Sequence, residues 1–338
     1  MKLVMTLLAR NEADIIDAQI AFHLHAGVDY VIATDNLSDD GTTEILERYE
    51  RDGVLHLLRE DGDDMRQPEW VTRMARMAAT DFGADWVVNA DADEFWWPRG
   101  GTLKEILGLV PERFGVVRGC WRHFLPRLDR DGDFAELMTV RLCAPASSGT
   151  KSTIYHVHQK VAHRADPGVE IERGNHNAIG VGLEQLRSWH PIEVLHFSFR
   201  SLAQLERKAR GAWLRRPKEE QTQHAVRLDE ALRHGRLDAF YAAMAVSDAQ
   251  LEQRVADGTL AVDTRLRDAL RTLRALDRTY RAPDPESLLA FDAPDVDDAA
   301  AYAAEVSLLA EIDGVVRAER RVAALEARLA GLRTLPRR

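Results

Sequence analysis

Cysteine is scarce: the 338 residues contain two, Cys120 and Cys143. That excludes a disulfide framework and any zinc site built on cysteines, and it fits a reducing compartment. Long apolar runs are also missing. None approaches the roughly 18 residues that would cross a bilayer. The opening "MKLVMTLLAR" is apolar but short, and it runs into Arg-Asn-Glu. A secretory leader needs a longer apolar stretch and a small-residue cleavage site. The expectation is a cytoplasmic protein without a transmembrane segment, with peripheral contact to the inner face of a membrane left open. Positive charge is in deficit, with 45 Lys and Arg against 55 Asp and Glu, a net charge of -10. A nucleic-acid binder would present a basic face, so that class is set aside. A phosphorylated small molecule is not, because a metal or a local basic cluster can reverse the sign of the field. No HExxH zinc motif occurs. "LDRDGDFAE" (128–136) lacks the twelve-residue pattern of a calcium loop and reads as an acidic turn.

What is present is an alternation. Apolar runs at 2–9, 29–35, 54–60 and 84–91 read as buried parallel strands. Between them, 13–27, 38–53 and 68–83 have helical spacing. Ile16, Ile20 and Leu24 share a face, Ser38 and Gly41 open the second helix, and Pro68 sits in the first turn of the third. This βαβαβαβ order predicts an α/β fold with an open, mostly parallel sheet and helices on both faces. Such sheets bind ligands beyond the carboxyl ends of their strands. Here the first strand ends in Arg10-Asn11-Glu12, the second in Asp35-Asn36 and the fourth in Asp91-Ala92-Asp93. Three polar, mostly acidic ends on one edge point to a site.

Beyond residue 115 the pattern becomes strand-rich, and beyond about 200 it becomes helical. Residues 282–298 are acidic and Pro-rich, as in a linker. The final segment, with "RVAALEARLAGL", has spacing compatible with a helix pair or a homodimer through these C-terminal helices.

Two carboxylates two residues apart, Asp91 and Asp93, can aim at one hard cation, Mg2+ or Mn2+. Glu94 follows and is expected to orient the loop. The aromatics Phe95, Trp96 and Trp97 then either cover the site or belong to the core.

Taken together, "LLARNEADII", "ATDNLSDDGTTEIL" and "ADWVVNADADEFWWP" resemble a GT-A glycosyltransferase of the family 2 type, and more narrowly a bacterial group related to the family 92 (DUF23-like) enzymes. Weaker likeness continues through "KVAHR", "GNHN" and "LHFSFRSLAQLERKARG". The resemblance covers about residues 1–212 and leaves 213–338 as a helical C-terminal region. It implies a Rossmann-like mixed central sheet and a metal-dependent transfer of sugar from a nucleotide-diphosphate donor to a glycan or glycoconjugate acceptor. It also implies site roles. Asp91 and Asp93 would hold the metal, completed by His176 in "RGNHNAIG" or His196 in "EVLHFSF". Arg10, Asn11, Glu12, Asp35 and Asp91 would line the nucleotide pocket. Lys160 and Arg164 would meet the diphosphate, and Trp121 and His123 the acceptor. Asp40 is expected only to cap its helix. No carboxylate matches the family's catalytic base; Asp129, Asp131, Asp133 and Glu136 are the nearby acids.

Two other classes stay open. A sugar-1-phosphate nucleotidyltransferase wants a Gly-rich basic loop after the first strand, which "ARNEAD" is not. A non-catalytic assembly protein would use the C-terminal helices to assemble.

Overall fold

The computed structural model describes residues 1–63, 66–128, 130, 132–143, 155, 159–180, 182–187, 189–211 and 223–276, together with 289, 291, 322 and 325. Most of the 282–298 linker and of the C-terminal segment expected to pair helices, and the acids Asp129 and Asp131, lie outside the described residues.

The expected alternation is present. Strands β1 (Leu3–Ala9), β2 (Tyr30–Asp35), β3 (Leu55–Arg59) and β4 (Trp86–Asp91) are separated by helices α1 (Ile16–His25), α2 (Thr42–Arg51) and α3 (Gln67–Thr80). They form the parallel half of an eight-stranded mixed sheet. The other half comes from β5 (Glu94–Pro98), β6 (Val116–His123), β8 (Gln159–Arg164) and β11 (Ile192–His196). The strand order is β3-β2-β1-β4-β8-β6-β11-β5. β8 is antiparallel to β4 and β6, β11 is parallel to β6, and β5 is antiparallel to β11. Consequently β1, β2, β4, β6 and β11 all end on one edge, where β5 and β8 begin. The chain also reverses direction of growth at β1, with β2 on one side and β4 on the other. That switch point is where open α/β sheets place ligands.

Alternation along β1 explains the layers. Leu3, Met5 and Leu7 join one core with α1, Leu46 and Tyr49 of α2, and the C-terminal helix α10 (Arg265–Ala275). Val4 and Leu8 face the other way, onto Trp70, Val71, Met74 and Ala78 of α3. Helices thus cover both faces of β1, β2 and β4, while the edge strand β3 stays partly exposed. A third core gathers α6 (Leu202–Arg210), α7 (Gln223–Arg233) and α8 (Leu237–Met244) around Phe199, Leu205 and Leu260. Between them run the short elements α4 (Leu103–Gly108), α5 (Phe134–Leu137), β7 (Val140–Leu142), β9 (Glu170–Ile171), β10 (Ala178–Ile179), α9 (Asp248–Ala256) and β12 (Leu260–Val262). β12 pairs with β7, and α10 packs on α1, so the region after residue 212 closes back onto the sheet. Among the described residues, no helix is long and apolar enough to cross a membrane.

"EFWWP" settles one open question. Glu94–Pro98 is a strand paired with β11, and Phe95 and Trp96 are fully buried. Phe95 stands edge-on to Phe22 and Phe197, and Trp97 stacks on Phe22. The aromatics are core.

Two buried histidines make an acid-sensitive feature. His23 donates from Nδ1 to the Gln19 carbonyl (2.8 Å) and accepts the Trp96 amide at Nε2 (3.0 Å). His163 donates from Nδ1 to the Arg164 carbonyl (2.8 Å). Burial lowers both to about 4 from 6.5. The unfolded chain takes up these protons near pH 6.5 while the fold refuses them until pH 4. Stability is therefore full above pH 6.5 and lost as pH falls through that window, by about 3 kcal/mol for each residue. Urea denaturation at pH 7 and pH 4.5 should show this loss, and His163→Gln should flatten the slope. An unchanged slope in that variant would rule out this source.

Candidate active site

The loop after β1 is tied to the loop after β2 by short polar side chains. Asn11 adopts a left-handed conformation (φ 57°). Its amide donates to Ser38 Oγ (3.0 Å), and its side-chain oxygen accepts the Asp39 amide (2.8 Å). Asp40 accepts from the amides of Ala13 and Thr42, both at 3.1 Å, and so ties the first residue of α2 to the loop after β1; the N-cap position itself is Gly41, in a left-handed conformation. Asp35 is buried and accepts the hydroxyls of Ser38 and Thr43, each at 2.5 Å. Arg10 reaches across to Asn36 (3.0 Å) and Asp63 (2.9 Å). These residues form one braced rim.

The acids beyond β4 divide into two groups. Asp93, Glu94 and His196 each offer a ligand atom within 4.8 Å of the others. His196 Nε2 lies 3.7 Å from Asp93 Oδ1, and strand pairing sets His196 directly opposite Glu94. Asp91 stands apart from this trio. Its carboxylate accepts Lys160 Nζ at 2.5 Å and Asn175 Nδ2 at 3.1 Å. Lys160 also meets Glu94 Oε1 at 2.9 Å and lies 5.3 Å from the Trp121 ring centre. Glu94 further accepts the Trp121 indole N–H (2.8 Å) and the Asp91 amide (3.1 Å). All its partners are donors.

On the other side, Arg200 binds Glu12 and Asp14, the latter through contacts of 2.7 and 2.8 Å. Lys208 of α6 bridges Asp93 Oδ2 (3.0 Å) and Glu12 Oε1 (3.5 Å). Glu12, read from sequence as a wall of the nucleotide pocket, is thus buried between two cations.

The electrostatics follow from this layout. Burial alone would raise Asp93, but Lys208 and Arg200 outweigh it and hold the carboxyl far below its usual range. Burial raises Glu94 to about 8, with Lys160 pulling it down and Asp91 and Asp93 pushing it up. Burial keeps the His196 imidazole neutral, despite Asp93 beside it. Glu12, Asp14, Asp91, Asp93 and Glu94 are joined through these ion pairs to Lys160, Lys208 and Arg200, an excess of two negative charges once Glu94 gives up its proton, which a bound cation favours. Two carboxylate oxygens, a neutral imidazole and that excess suit a divalent cation such as Mn2+ or Mg2+.

The other expected residues are distributed as follows. His176 lies outside the trio: Nδ1 contacts the Gln159 carbonyl (2.6 Å), and the ring stands edge-on to Trp121. A side chain at Gly174 (φ 74°) would strike the His176 ring, which fixes the turn as Gly-Asn-His. Trp121 stacks on His196 with centroids 4.4 Å apart, and His123 is buried with its Nδ1 3.3 Å from His196 Nδ1. Both therefore build the floor under the trio. Arg164 lies apart from the others. It is registered with Trp86 at the opposite end of β4, donates to the carbonyls of Phe114 and Val110, and stacks over Trp86. β8 runs antiparallel, so Lys160 and Arg164 point to opposite edges of the sheet. Asn175, which holds Asp91 from a left-handed position (φ 59°), was not singled out from sequence. Its flanking Gly-Asn-His-Asn string was the available signal.

No family model and no curated protein sequence matches the chain. Among solved structures, it is similar to residues 1–349 of S. aureus TarS in complex with UDP, at 13% identity over 68% of this chain and 69% of that one, with a TM-score of 0.35. The same protein in complex with UDP-GlcNAc aligns at 13% identity over 68% and 70%, with a TM-score of 0.34. Glucosyl-3-phosphoglycerate synthase from Mycobacterium tuberculosis, in complex with Mg2+ and UDP, aligns at 21% identity over 36% of this chain and 43% of that one, with a TM-score of 0.27.

Proposed function

We propose that this chain is a metal-dependent glycosyltransferase of the GT-A, family 2 type, moving a sugar from a nucleotide-diphosphate donor to an acceptor hydroxyl in glycan or glycoconjugate synthesis. The observation that carries the reading is the Asp93–Glu94–His196 trio beside the switch point of a mixed α/β sheet. The quoted motifs after β1, β2 and β4 support it. So does the braced rim of Asn11, Asp35 and Ser38, which follows the carboxyl ends of β1 and β2 beside the switch point.

In this reading Asp93, Glu94 and His196 hold the cation, which when bound supplies positive charge against a departing diphosphate. Lys160 and Asn175 fix Asp91 at the mouth of the site, where its side chain stays 30% exposed and within reach of a ligand. Trp121 carries Glu94 on its indole N–H and His196 on its ring face, and so keeps both in place. Burial keeps the His196 nitrogen unprotonated and able to donate its lone pair.

The test is calorimetric titration of nucleoside diphosphates with and without Mn2+, on the wild type and on Asp93→Ala. UDP is the first to try. Binding should require Mn2+, and Asp93→Ala should weaken it by about 30-fold or more, the ~2 kcal/mol of a lost buried charge contact. If no nucleoside diphosphate binds in a metal-dependent way, the transferase reading fails.

A further inference from the structure

Lys208 sits in an unusual place for a residue beside a cation site. Its ammonium lies 3.0 Å from Asp93 Oδ2 and 3.5 Å from Glu12 Oε1, and it also donates to the Ser198 carbonyl (3.1 Å). Asp93 presents its other oxygen, Oδ1, to His196. One carboxylate is therefore shared between the lysine on one side and the proposed ligand position on the other. A positive charge one carboxylate away from a divalent cation opposes its binding, and the low dielectric of a buried site makes that opposition strong. The neighbouring Arg200 is locked: its side chain is 1% exposed and held by Glu12 and Asp14. Lys208 differs. Its side chain is 26% exposed, on a flexible stem at the solvent end of the network.

We propose that Lys208 gates the site: it competes with a divalent cation for Asp93, so that tight cation binding requires an anionic ligand that draws the ammonium away. This rests on the reading of Asp93, Glu94 and His196 as a cation site. An anion bearing a diphosphate offers Lys208 new oxygens, and Asp93 Oδ2 is then released towards the cation. Cation and anion each strengthen the other's binding, by the same factor in both directions. Such an arrangement keeps the site from retaining a metal between turnovers and makes the donor and the cation enter together.

The experiment measures Mn2+ binding to the full chain by electron paramagnetic resonance, alone and as the preformed Mn2+–pyrophosphate complex. The wild type should prefer the complex to the bare ion. Lys208→Met should bind bare Mn2+ about tenfold more tightly, and its preference for the complex should fall by a similar factor, within the usual range of coupling between sites. Arg207→Met removes the same charge from an exposed position on the same helix and should behave as wild type within about twofold, because solvent screens it. Lys208→Arg keeps the charge and can fork onto Asp93, so it should bind bare Mn2+ more weakly than wild type; it serves as the measurement if Lys208→Met does not fold. The proposal is overturned if Lys208→Met binds bare Mn2+ no more tightly than wild type, if its preference for the complex persists, or if Arg207→Met tightens binding equally. In each of these cases loss of Mn2+ binding in Asp93→Ala would leave the cation site standing. If the wild type shows no Mn2+ binding that Asp93→Ala removes, both the site and its gate are overturned.

Discussion

Lys160→Met should destabilise the protein by about 3–5 kcal/mol, the cost of removing one partner from a buried ion pair. Lys160 lies on β8, between β4 and β6 near the middle of the sheet, and its side chain is 1% exposed. Its ammonium is the cation shared by Asp91 and Glu94. Burial would lower its pKa, but these two carboxylates outweigh burial and raise it, so it stays charged at every ordinary pH. Methionine fills much the same space and removes the charge together with its N–H donors. Asp91 can turn to water; Glu94, fully buried, cannot. Two further measurements tie this loss to the site. Mn2+ should restore part of the stability in Lys160→Met, up to about 2.7 kcal/mol at a hundredfold excess over its dissociation constant. Lys160→Met combined with Glu94→Gln should lose less than Lys160→Met alone, because the amide needs no cation and keeps an acceptor for Trp121. Urea denaturation with and without Mn2+ reads all three. A loss below about 1 kcal/mol for Lys160→Met, typical of an exposed pair, would mean that the ammonium does not hold the acids together.

That ammonium also marks where sequence reading reached its limit. The parallel half of the sheet was legible because its signals are local. Buried parallel strands are continuous apolar runs, and the helices between them carry Ser38, Gly41 and Pro68 at their starts. The acids at the strand ends were legible for the same reason. Which acids gather was not, because that depends on strands arriving from far along the chain. β8 brings Lys160 to Asp91 across 69 residues, and β11 brings His196 to Asp93 and Glu94. Neither pairing leaves a trace near residue 91. "EFWWP" hid its strand character because both of its faces are buried, which removes the alternation that identifies a half-exposed strand. With β5 unrecognised, Glu94 read as a loop-orienting residue rather than a member of the trio. Arg164 and Lys160 are four residues apart, close enough in sequence to suggest one site. A strand of that length separates them by about 13 Å.

Glu193→Ala should be the second large loss, again about 3–5 kcal/mol. Glu193 is the second residue of β11, on the opposite sheet face from His196 by strand alternation, and its side chain is 7% exposed. It accepts Arg122 Nε at 2.5 Å, Arg99 at 3.1 Å and Arg265 at 2.7 Å. Each arginine comes from a different element: Arg122 from β6, Arg99 from just beyond β5, and Arg265 from the start of α10. Arg265 also binds Asp263 (2.7 Å) and lies 5.2 Å from the Trp97 ring centre. One carboxylate thus fastens the start of α10 to β6 and to the end of β5, at the opposite end of β11 from His196. Removing it leaves Arg99, Arg122 and Arg265 facing one another with less compensating charge. Burial would raise the pKa of Glu193, but Arg122, Arg265 and Arg99 outweigh it and hold it well below 4.5. The folded-state pKa is depressed, so this stabilisation is complete above the unfolded value of 4.5 and is lost as pH falls towards the folded one. The difference in unfolding free energy between wild type and Glu193→Ala should accordingly be constant from pH 8 to pH 5 and shrink below pH 4.5. Glu193→Gln should fall between them, since the amide keeps an acceptor but not the charge. A difference that grew on acidification, or a Glu193→Ala variant as stable as wild type at pH 7, would show that the three arginines are held by something other than this carboxylate.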